Sequence, residues 1–567
     1  MDFKPSNCIE CALHQTATSY KIPIEVSEGA RPPLDLLFVG EAPGRGEDLT
    51  GKPFATSDMA AEFDPSRKNI LTAGDILREV MEAWEGPWGM CNSVRCRPLD
   101  NTKPTPTQIK CCEPFLTDDI SLWEPKIIIC LGGTALKAVW PNGPNSVQRA
   151  RTAPTKLGNC WVMATYHPAY YIHRHDDAET AINEAKKEYL RVLQIADRIC
   201  SGTMRDECPD IRIVDDQNDM QTLLRQMAGA TVLSADIETD TNDKVPTKRT
   251  IYLPDAKLIC IGIGTTPQEP TWIVPAHRVS EELIRAMYGK TIVGCNVKYD
   301  GQGIAWWHDP HVWSRIDIED IMLMHSSRDQ GKIGNGLVDM AAKYLGVPDW
   351  KGPVWEMVNH ENQRRKKMRQ PMTATLADIP FPVVAEMNGK DVYYTMRLYD
   401  YFRKELPPRK VYADLLIPAT KALAQVELNG LGADRRYHEA IHGTVEKKMG
   451  ELLAAMRHHP AVREVEAAQV GPPIFSPTSP IHLEHLLLST DISVHEKTDK
   501  ATVNVNGVIV QRSKLDKTVL AELAEVHPVW KAVKTYRDYA NLISKFIRPY
   551  GEHIAADGRI HCRYNVC

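Results

Sequence analysis

Cys8-x2-Cys11 and Cys96-x15-Cys112 supply two pairs of thiols. Four thiolates can hold an iron–sulfur cluster, and four thiolates also suit zinc. Between the pairs lie Gly40-Glu41-Ala42-Pro43-Gly44, Gly51-Lys52-Pro53-Phe54 and Asn92, and Tyr166-His167-Pro168 follows downstream. An acidic loop, an aromatic ring, a carboxamide and an imidazole together make a pocket that can grip an extruded base. A second set is acidic: Asp236-x-Glu238, Asn296-x3-Asp300 and Asp391. Carboxylates on three separate elements can converge on two divalent cations, and such a pair clamps the attacking and leaving oxygens of a phosphodiester. Oxygen ligands suit Mg2+ or Mn2+. Each group taken alone has a plainer explanation. A histidine before proline is commonly a turn residue, Glu41 and Asn92 can cap loops, Phe54 can be core, and buried thiols are ordinary. Their joint order carries the chemistry.

The elements that must position these residues are legible in outline. Runs at 34–39, 126–131 and 160–165 read as short buried strands, and 70–84 and 181–196 carry apolar residues at helical spacing. Strands alternating with helices predict an α/β sandwich with a mostly parallel sheet, whose motif loops leave strand ends, where open sheets place their sites. Residues 200–210, with Ser, Gly and Pro, read as a linker. Runs at 230–235, 257–263, 271–275 and 291–295 predict strands of a second α/β domain. There Asp236 and Glu238 end a strand, Asp391 opens a helix, and 318–325 and 392–403 are helical. The basic run at 363–370 reads as a solvated loop or a phosphate-contacting edge. From about 411 the pattern is largely helical, with Leu416, Ala419, Leu423 and Val426 on one face and Pro472, Pro473 and Pro480 as punctuation.

Composition bounds the rest. The 567 residues allow three or four domains. A net charge of −5 neither supports nor excludes nucleic acid. Fourteen unevenly spread cysteines look like a metal site plus core thiols, which favours a reducing, cytoplasmic compartment. No secretory signal and no apolar run long enough to span a membrane is read.

Residues 8–199 resemble the iron–sulfur uracil-DNA glycosylases, family 4 of their superfamily. The first motif corresponds to Gly40 to Gly44, Glu47-Asp48 and Gly51 to Phe54. The second corresponds to Asn92-x3-Cys96-Arg97-Pro98, Asn101, Pro104 and Cys112, and Leu131-Gly132 and Tyr166 to Tyr170 complete the order. The resemblance implies a 4Fe-4S cluster on Cys8, Cys11, Cys96 and Cys112, with Cys112 preferred over Cys111 by spacing. It implies substrate contacts from Gly40, Ala42, Gly44, Phe54 and Asn92, with Phe54 stacking on the flipped base and the Asn92 amide reading the uracil edge. His167 would donate to the departing base, and Glu41 would position water or stabilise the sugar cation. Two departures stand out: the extra stretch 55–69, and His173 where the family usually has a basic residue.

Residues 211–408 resemble the 3′–5′ proofreading domain of family A DNA polymerases. Ser234 to Thr239, Gly294 to Asp300 and Met387-x3-Asp391 fill its three motifs, with Met387 where the family has tyrosine. The resemblance implies that Asp236, Glu238, Asp300 and Asp391 hold two Mg2+ or Mn2+ ions, with Asn296 on the substrate. Glu427 to Gly430, Phe475-x3-Ser479-Pro480, Tyr536-Arg537 and Asp557 to His561 resemble the thumb region of the same polymerases.

The fold expected is therefore multidomain α/β. A glycosylase-like α/β/α sandwich (1–199) and a linker (200–210) precede a ribonuclease H-like exonuclease domain (211–408) and a mostly helical partial thumb (409–567). The function expected is a DNA replication or repair subunit of phage type, an enzyme that excises uracil and removes 3′ nucleotides. Its partners are DNA and a second polypeptide carrying polymerase palm and fingers. The rival reading keeps the glycosylase fold as a non-catalytic processivity or uracil-sensing module.

Overall fold

The computed structural model describes residues 8, 11–144, 146–151, 153–175, 177–204, 209–240, 251–252, 256–328, 335–468, 474–494, 497–505 and 508–565. They divide into two compact units, one built from residues up to Ile251 and Asp255–Gln425, the other chiefly Val426–Tyr564. Of the expected linker, 205–208 lie outside the described residues, as do Pro472 and Pro473.

The first lobe of the first unit is a six-stranded sheet. Its strands are β1 (Glu25–Val26), β2 (Leu36–Gly40), β3 (Trp88–Asn92), β4 (Ile127–Leu131), β5 (Thr155–Leu157) and β6 (Cys160–Thr165), in the order β1-β3-β2-β4-β6-β5. The four central strands are parallel and the two edge strands antiparallel. Side chains alternate across a strand, so Leu36, Phe38, Ile127 and Ile129 pack with Tyr189 and Val192 on one face. Leu37, Val39, Ile128 and Cys130 pack with Leu116, Leu136 and Trp140 on the other. Continuous apolar strands are what a sheet covered on both faces requires. Gly40, Asn92, Leu131 and Thr165 thus end four neighbouring parallel strands along one edge.

The second lobe holds β7 (Ile211–Ile213), β8 (Val232–Asp240), β9 (Lys257–Gly264), β10 (Thr271–Pro275), β11 (Thr291–Gly294) and β12 (Asp317–Asp320), in the order β12-β11-β8-β9-β10-β7. The sheet is mixed: β8 pairs antiparallel with β9 and parallel with β11. The 24-residue helix Phe381–Lys404 lies against β8 and β9. Four sequence expectations need correction. Asp236 and Glu238 lie inside β8 rather than at its end, because the strand runs on to Asp240. Asp391 is mid-helix, since the helix already begins at Phe381. The stretch 318–325 divides into β12 and the helix Ile321–Arg328, because Asp320 ends the strand and its carboxylate accepts from the N–H groups of Met322 and Leu323. The basic run is mainly the last turns of the helix Gly352–Lys367, where Arg364 and Arg365 pair with Glu361 at helical spacing.

The second unit is mostly helical, with Phe475, Leu486, Trp530 and Val533 fully buried in its core. It adds the two-residue pair β13 (Leu431–Gly432) and β16 (Arg559–Ile560), and the hairpin β14 (Lys497–Val505) and β15 (Val508–Ser513).

Candidate active sites

The first site gathers at the strand ends of the first lobe. Gly40 closes β2 directly opposite Asn92 on β3. A Cβ at position 40 would lie 2.2 Å from Asn92 Oδ1 and 2.7 Å from Phe54 Cζ, so only glycine lets the amide and the ring come together. Glu47 organises the group. Its carboxylate accepts from the N–H of Gly44 (2.6 Å), the N–H of Phe54 (2.7 Å) and Asn92 Nδ2 (2.8 Å). Burial raises the Glu47 pKa, and these donors oppose the rise. With one N–H committed to Glu47, the Asn92 amide keeps a second N–H for another acceptor.

Phe54 sits at φ +50, in the left-handed region that side chains seldom occupy, and is only 2% exposed. Arg78 holds it there by donating to the carbonyls of Phe54 (2.8 Å) and Pro53 (2.9 Å) while paired with Glu25. Strain of this kind persists where the surroundings over-determine a residue, commonly at ligand sites. The Phe54 ring lies 6.0 Å from the His167 ring.

His167 follows β6 and caps the helix Pro168–Arg174, its Nδ1 accepting from the N–H of Ala169 at 3.2 Å. Burial, with a smaller contribution from His173, lowers its pKa to about 4. The ring is therefore neutral at pH 7, and with Nδ1 an acceptor the proton is on Nε2, free to donate. Glu41 lies just past β2, where its carbonyl accepts from Ser93 Oγ (2.7 Å) and its carboxylate from the Thr134 hydroxyl. Ala42 and Gly44 continue this loop, and Gly44 is the N-cap of the helix Arg45–Thr50. The extra stretch contributes two short helices, Ser57–Ala61 and Pro65–Arg67. His173 and Arg174 lie in the last turn of the helix that His167 caps.

Cys8, Cys11, Cys96 and Cys112 are all buried, at 9% exposure or less. The Cys112 thiol is pushed up to about 12 by burial first, then by Cys96, Cys11 and Cys8. Cys96 is raised by burial, and by Cys11 and Cys8 in the same way. Cys11, Cys96 and Cys112 pack in one buried group. Backbone N–H groups of Lys21 (3.4 Å) and Arg95 (3.5 Å) point at the sulfurs of Cys96 and Cys112, the arrangement that tunes cluster thiolates. Cys111 is buried beside them in the same cluster.

The second site lies on the second lobe. Asp236 and Glu238 share one face of β8, and their carboxylates gather with Asp391, the ligand atoms lying within 4.8 Å of one another. Asp300, on the helix Val297–Trp307, accepts from the N–H of Ile237 at 3.0 Å. Gly303 lies on the same helix, where a Cβ would press on the tip of the Ile237 side chain, Cδ1, at 2.3 Å. Burial first and Asp391 second push Asp236 up to about 7. Asp300 rises well above the carboxylate range, through burial and then Asp236. Burial likewise raises Asp391, against Lys351, which lowers it. Packed, desolvated carboxylates of this kind call for cations. Asn296, at φ +65, is the N-cap of the Asp300 helix. Met387 is buried in the lobe's main core.

Four residues of these sites escaped sequence reasoning. Asp320 ties down the Asp300 helix by accepting from the N–H groups of Asn296 (3.2 Å) and Val297 (3.0 Å). Asn388 Nδ2 donates to Asp236 Oδ2 at 2.7 Å. It stands three residues before Asp391, so helical spacing could have found it. Lys351 Nζ pairs with Asp391 Oδ2 at 2.5 Å, and Thr134 donates to Glu41. Nothing in the sequence signals these last two.

A family model described as the uracil DNA glycosylase superfamily matches residues 27–194. The type-4 uracil-DNA glycosylase of Thermotoga maritima is 34% identical over 193 residues, which is 32% of this chain and 91% of that protein. The DNA polymerase of Escherichia phage T5 is 24% identical over 288 residues, 48% of this chain and 32% of that protein, so the chain spans about a third of that relative. The solved structure of the POL domain of Pol1 from M. smegmatis, in complex with DNA primer-template and dNTP, aligns with a TM-score of 0.36 at 15% identity, covering 62% of this chain and 52% of that one. Through its first lobe the chain belongs to the uracil-DNA glycosylase superfamily, with type-4 enzymes as relatives, and this lobe is fused to a region homologous to family A DNA polymerases.

Proposed function

We propose that the first lobe excises uracil from DNA. The observation that carries this is a half-buried His167 whose Nδ1 accepts from the Ala169 N–H, which leaves Nε2 to donate, with its ring 6.0 Å from the Phe54 ring. Breaking the glycosidic bond leaves negative charge on the departing base and positive charge on the sugar. His167 Nε2–H donates to the base oxygen on which that charge develops. Phe54 offers a face to the flipped ring, and Asn92 offers a donor and an acceptor to the uracil edge, a pattern that cytosine mismatches. Glu41, anchored by Thr134, holds water or stabilises the sugar cation. Cys8, Cys11, Cys96 and Cys112 would hold a 4Fe-4S cluster, whose contribution is to fasten the segments that carry them. Uracil release by the wild-type chain and by Asn92→Ala tests the pocket. The expected outcome is a loss of about 100-fold in the variant, and equal release would remove Asn92 from the site. DNA binding without release would favour the sensing module.

The second lobe is read as a 3′–5′ exonuclease. Asp236, Glu238, Asp300 and Asp391 would hold divalent cations, which supply the positive charge that phosphodiester cleavage needs. Asn388 and Asp320 position Asp236 and the Asp300 helix, and Asn296, the N-cap of that helix, would contact the 3′ end. A labelled 3′-end assay with Asp236→Ala should show no shortening. The reading includes a second polypeptide carrying palm and fingers that docks on the last unit. Co-elution with such a protein on size exclusion tests that part, and separate elution of the two would remove it.

A further inference from the structure

Lys351 reaches into the carboxylate group from its rim, with 29% of its side chain exposed and its Nζ 2.5 Å from Asp391 Oδ2. The neighbouring residue occupies the other oxygen: Trp350 Nε1 donates to Asp391 Oδ1 at 2.8 Å. Both oxygens of a proposed cation ligand are thus engaged by one short loop. The loop is held in place from outside the second lobe. Asp349 accepts from the N–H groups of Lys351 (2.9 Å) and Gly352 (3.0 Å), and from the Thr155 hydroxyl (3.3 Å) at the start of β5. The N–H of Asp349 donates to the Pro154 carbonyl at 2.9 Å. At Gly352 a Cβ would meet Thr155 Oγ1 at 2.8 Å, so the two lobes touch closely there.

We infer that Lys351 is a tethered cation standing in one of the two cation positions, so that the exonuclease site takes one divalent ion instead of two. The ammonium occupies Asp391 Oδ2 and the Trp350 indole occupies Oδ1, so Asp391 has no oxygen left to bridge to a second metal, while the remaining carboxylates still hold one ion. The anchor on Pro154 and Thr155 makes the first lobe part of the device: it posts Lys351 in the cage. The inference rests on the exonuclease reading, and the test separates the two.

Mn2+ binding to the full-length chain, purified with its cluster intact, is counted by EPR and calorimetry. Ions that Asp236→Ala abolishes are assigned to the cage. One such ion is expected in the wild-type chain. Two are expected in Lys351→Met, which keeps the side-chain length and removes the charge, with the second bound at least about tenfold tighter than any second ion in wild type. Asp349→Ala, which frees the loop while keeping Lys351, should also admit a second ion, and it provides an independent answer if Lys351→Met unfolds on a thermal melt. Two ions of equal affinity in wild type and both variants would overturn the inference and leave the exonuclease reading intact. No Asp236-dependent ion in any of the three would overturn both.

Discussion

His167 shows how one residue is set by its surroundings. Its folded pKa of about 4 lies below the ordinary 6.5, so between those values the folded state binds fewer protons than the unfolded one. Stability is therefore fully present above pH 6.5 and is lost as pH falls through 6.5 towards 4, by about 3 kcal/mol in all. Urea unfolding across that range should lose more stability with falling pH in the wild-type chain than in His167→Gln, the difference being this contribution. The motif residues were legible because base extrusion and phosphodiester cleavage need particular functional groups in a particular order. Their supports were less so. Glu47 stood in the first motif without a role, since nothing in a sequence says that one carboxylate will bind three donors. Lys351 was invisible: a lysine forty positions before Asp391 reads as solvated surface, and only the folded loop brings it to the cage.

At the scale of elements, the loop that carries Phe54 is wedged against the helix Ala73–Met81. A Cβ at Gly74 would lie 2.3 Å from the Phe54 carbonyl oxygen and 2.4 Å from that of Ala55, both backbone atoms that cannot swing aside. Gly74→Ala should cost about 1–3 kcal/mol in thermal or urea unfolding, and should weaken binding of uracil-containing DNA, because the Phe54 ring moves with its backbone. The strand β8 sets the other site by its pleat, which puts Asp236 and Glu238 on one face. With Asp236 held at about 7, a proton competes with cations there. Mn2+ affinity should rise with pH as the raised carboxylates of the cage lose their protons, and calorimetry at several pH values reads this directly. Affinity independent of pH would contradict the proposed cage. The buried apolar strands were readable as runs of Ile, Leu and Val. β3 was not, because Trp-Gly-Met-Cys-Asn lacks β-branched residues and contains a glycine. It is nonetheless the strand that delivers Asn92, held by register with β2 on one side and β1 on the other.

Across the whole molecule, the four buried thiols of the proposed cluster come from distant stretches of chain. Cys8 and Cys11 come from the start, Cys96 from the loop after β3, and Cys112 from the helix Pro106–Trp123. A cluster there would be folding free energy. Cys112→Ala should lose the visible absorption and the iron and should melt at lower temperature, while Cys111→Ala keeps all three. The reverse result would exchange the two ligands. The fusion itself was legible because each part carries its own ordered motifs. The contact between lobes was not, since Pro154, Thr155 and Asp349 belong to no motif and meet only through tertiary packing. The central claim is that the first lobe performs base excision, and free uracil is its most direct readout. A single-uracil oligonucleotide is incubated with the cluster-loaded chain and with His167→Ala, and released base is measured by mass spectrometry. The account predicts free uracil and an abasic site from the wild-type chain, with release about 100-fold or more slower in the variant. Cluster-loaded wild-type chain that binds the oligonucleotide and frees no uracil, or equal release from both proteins, would contradict it.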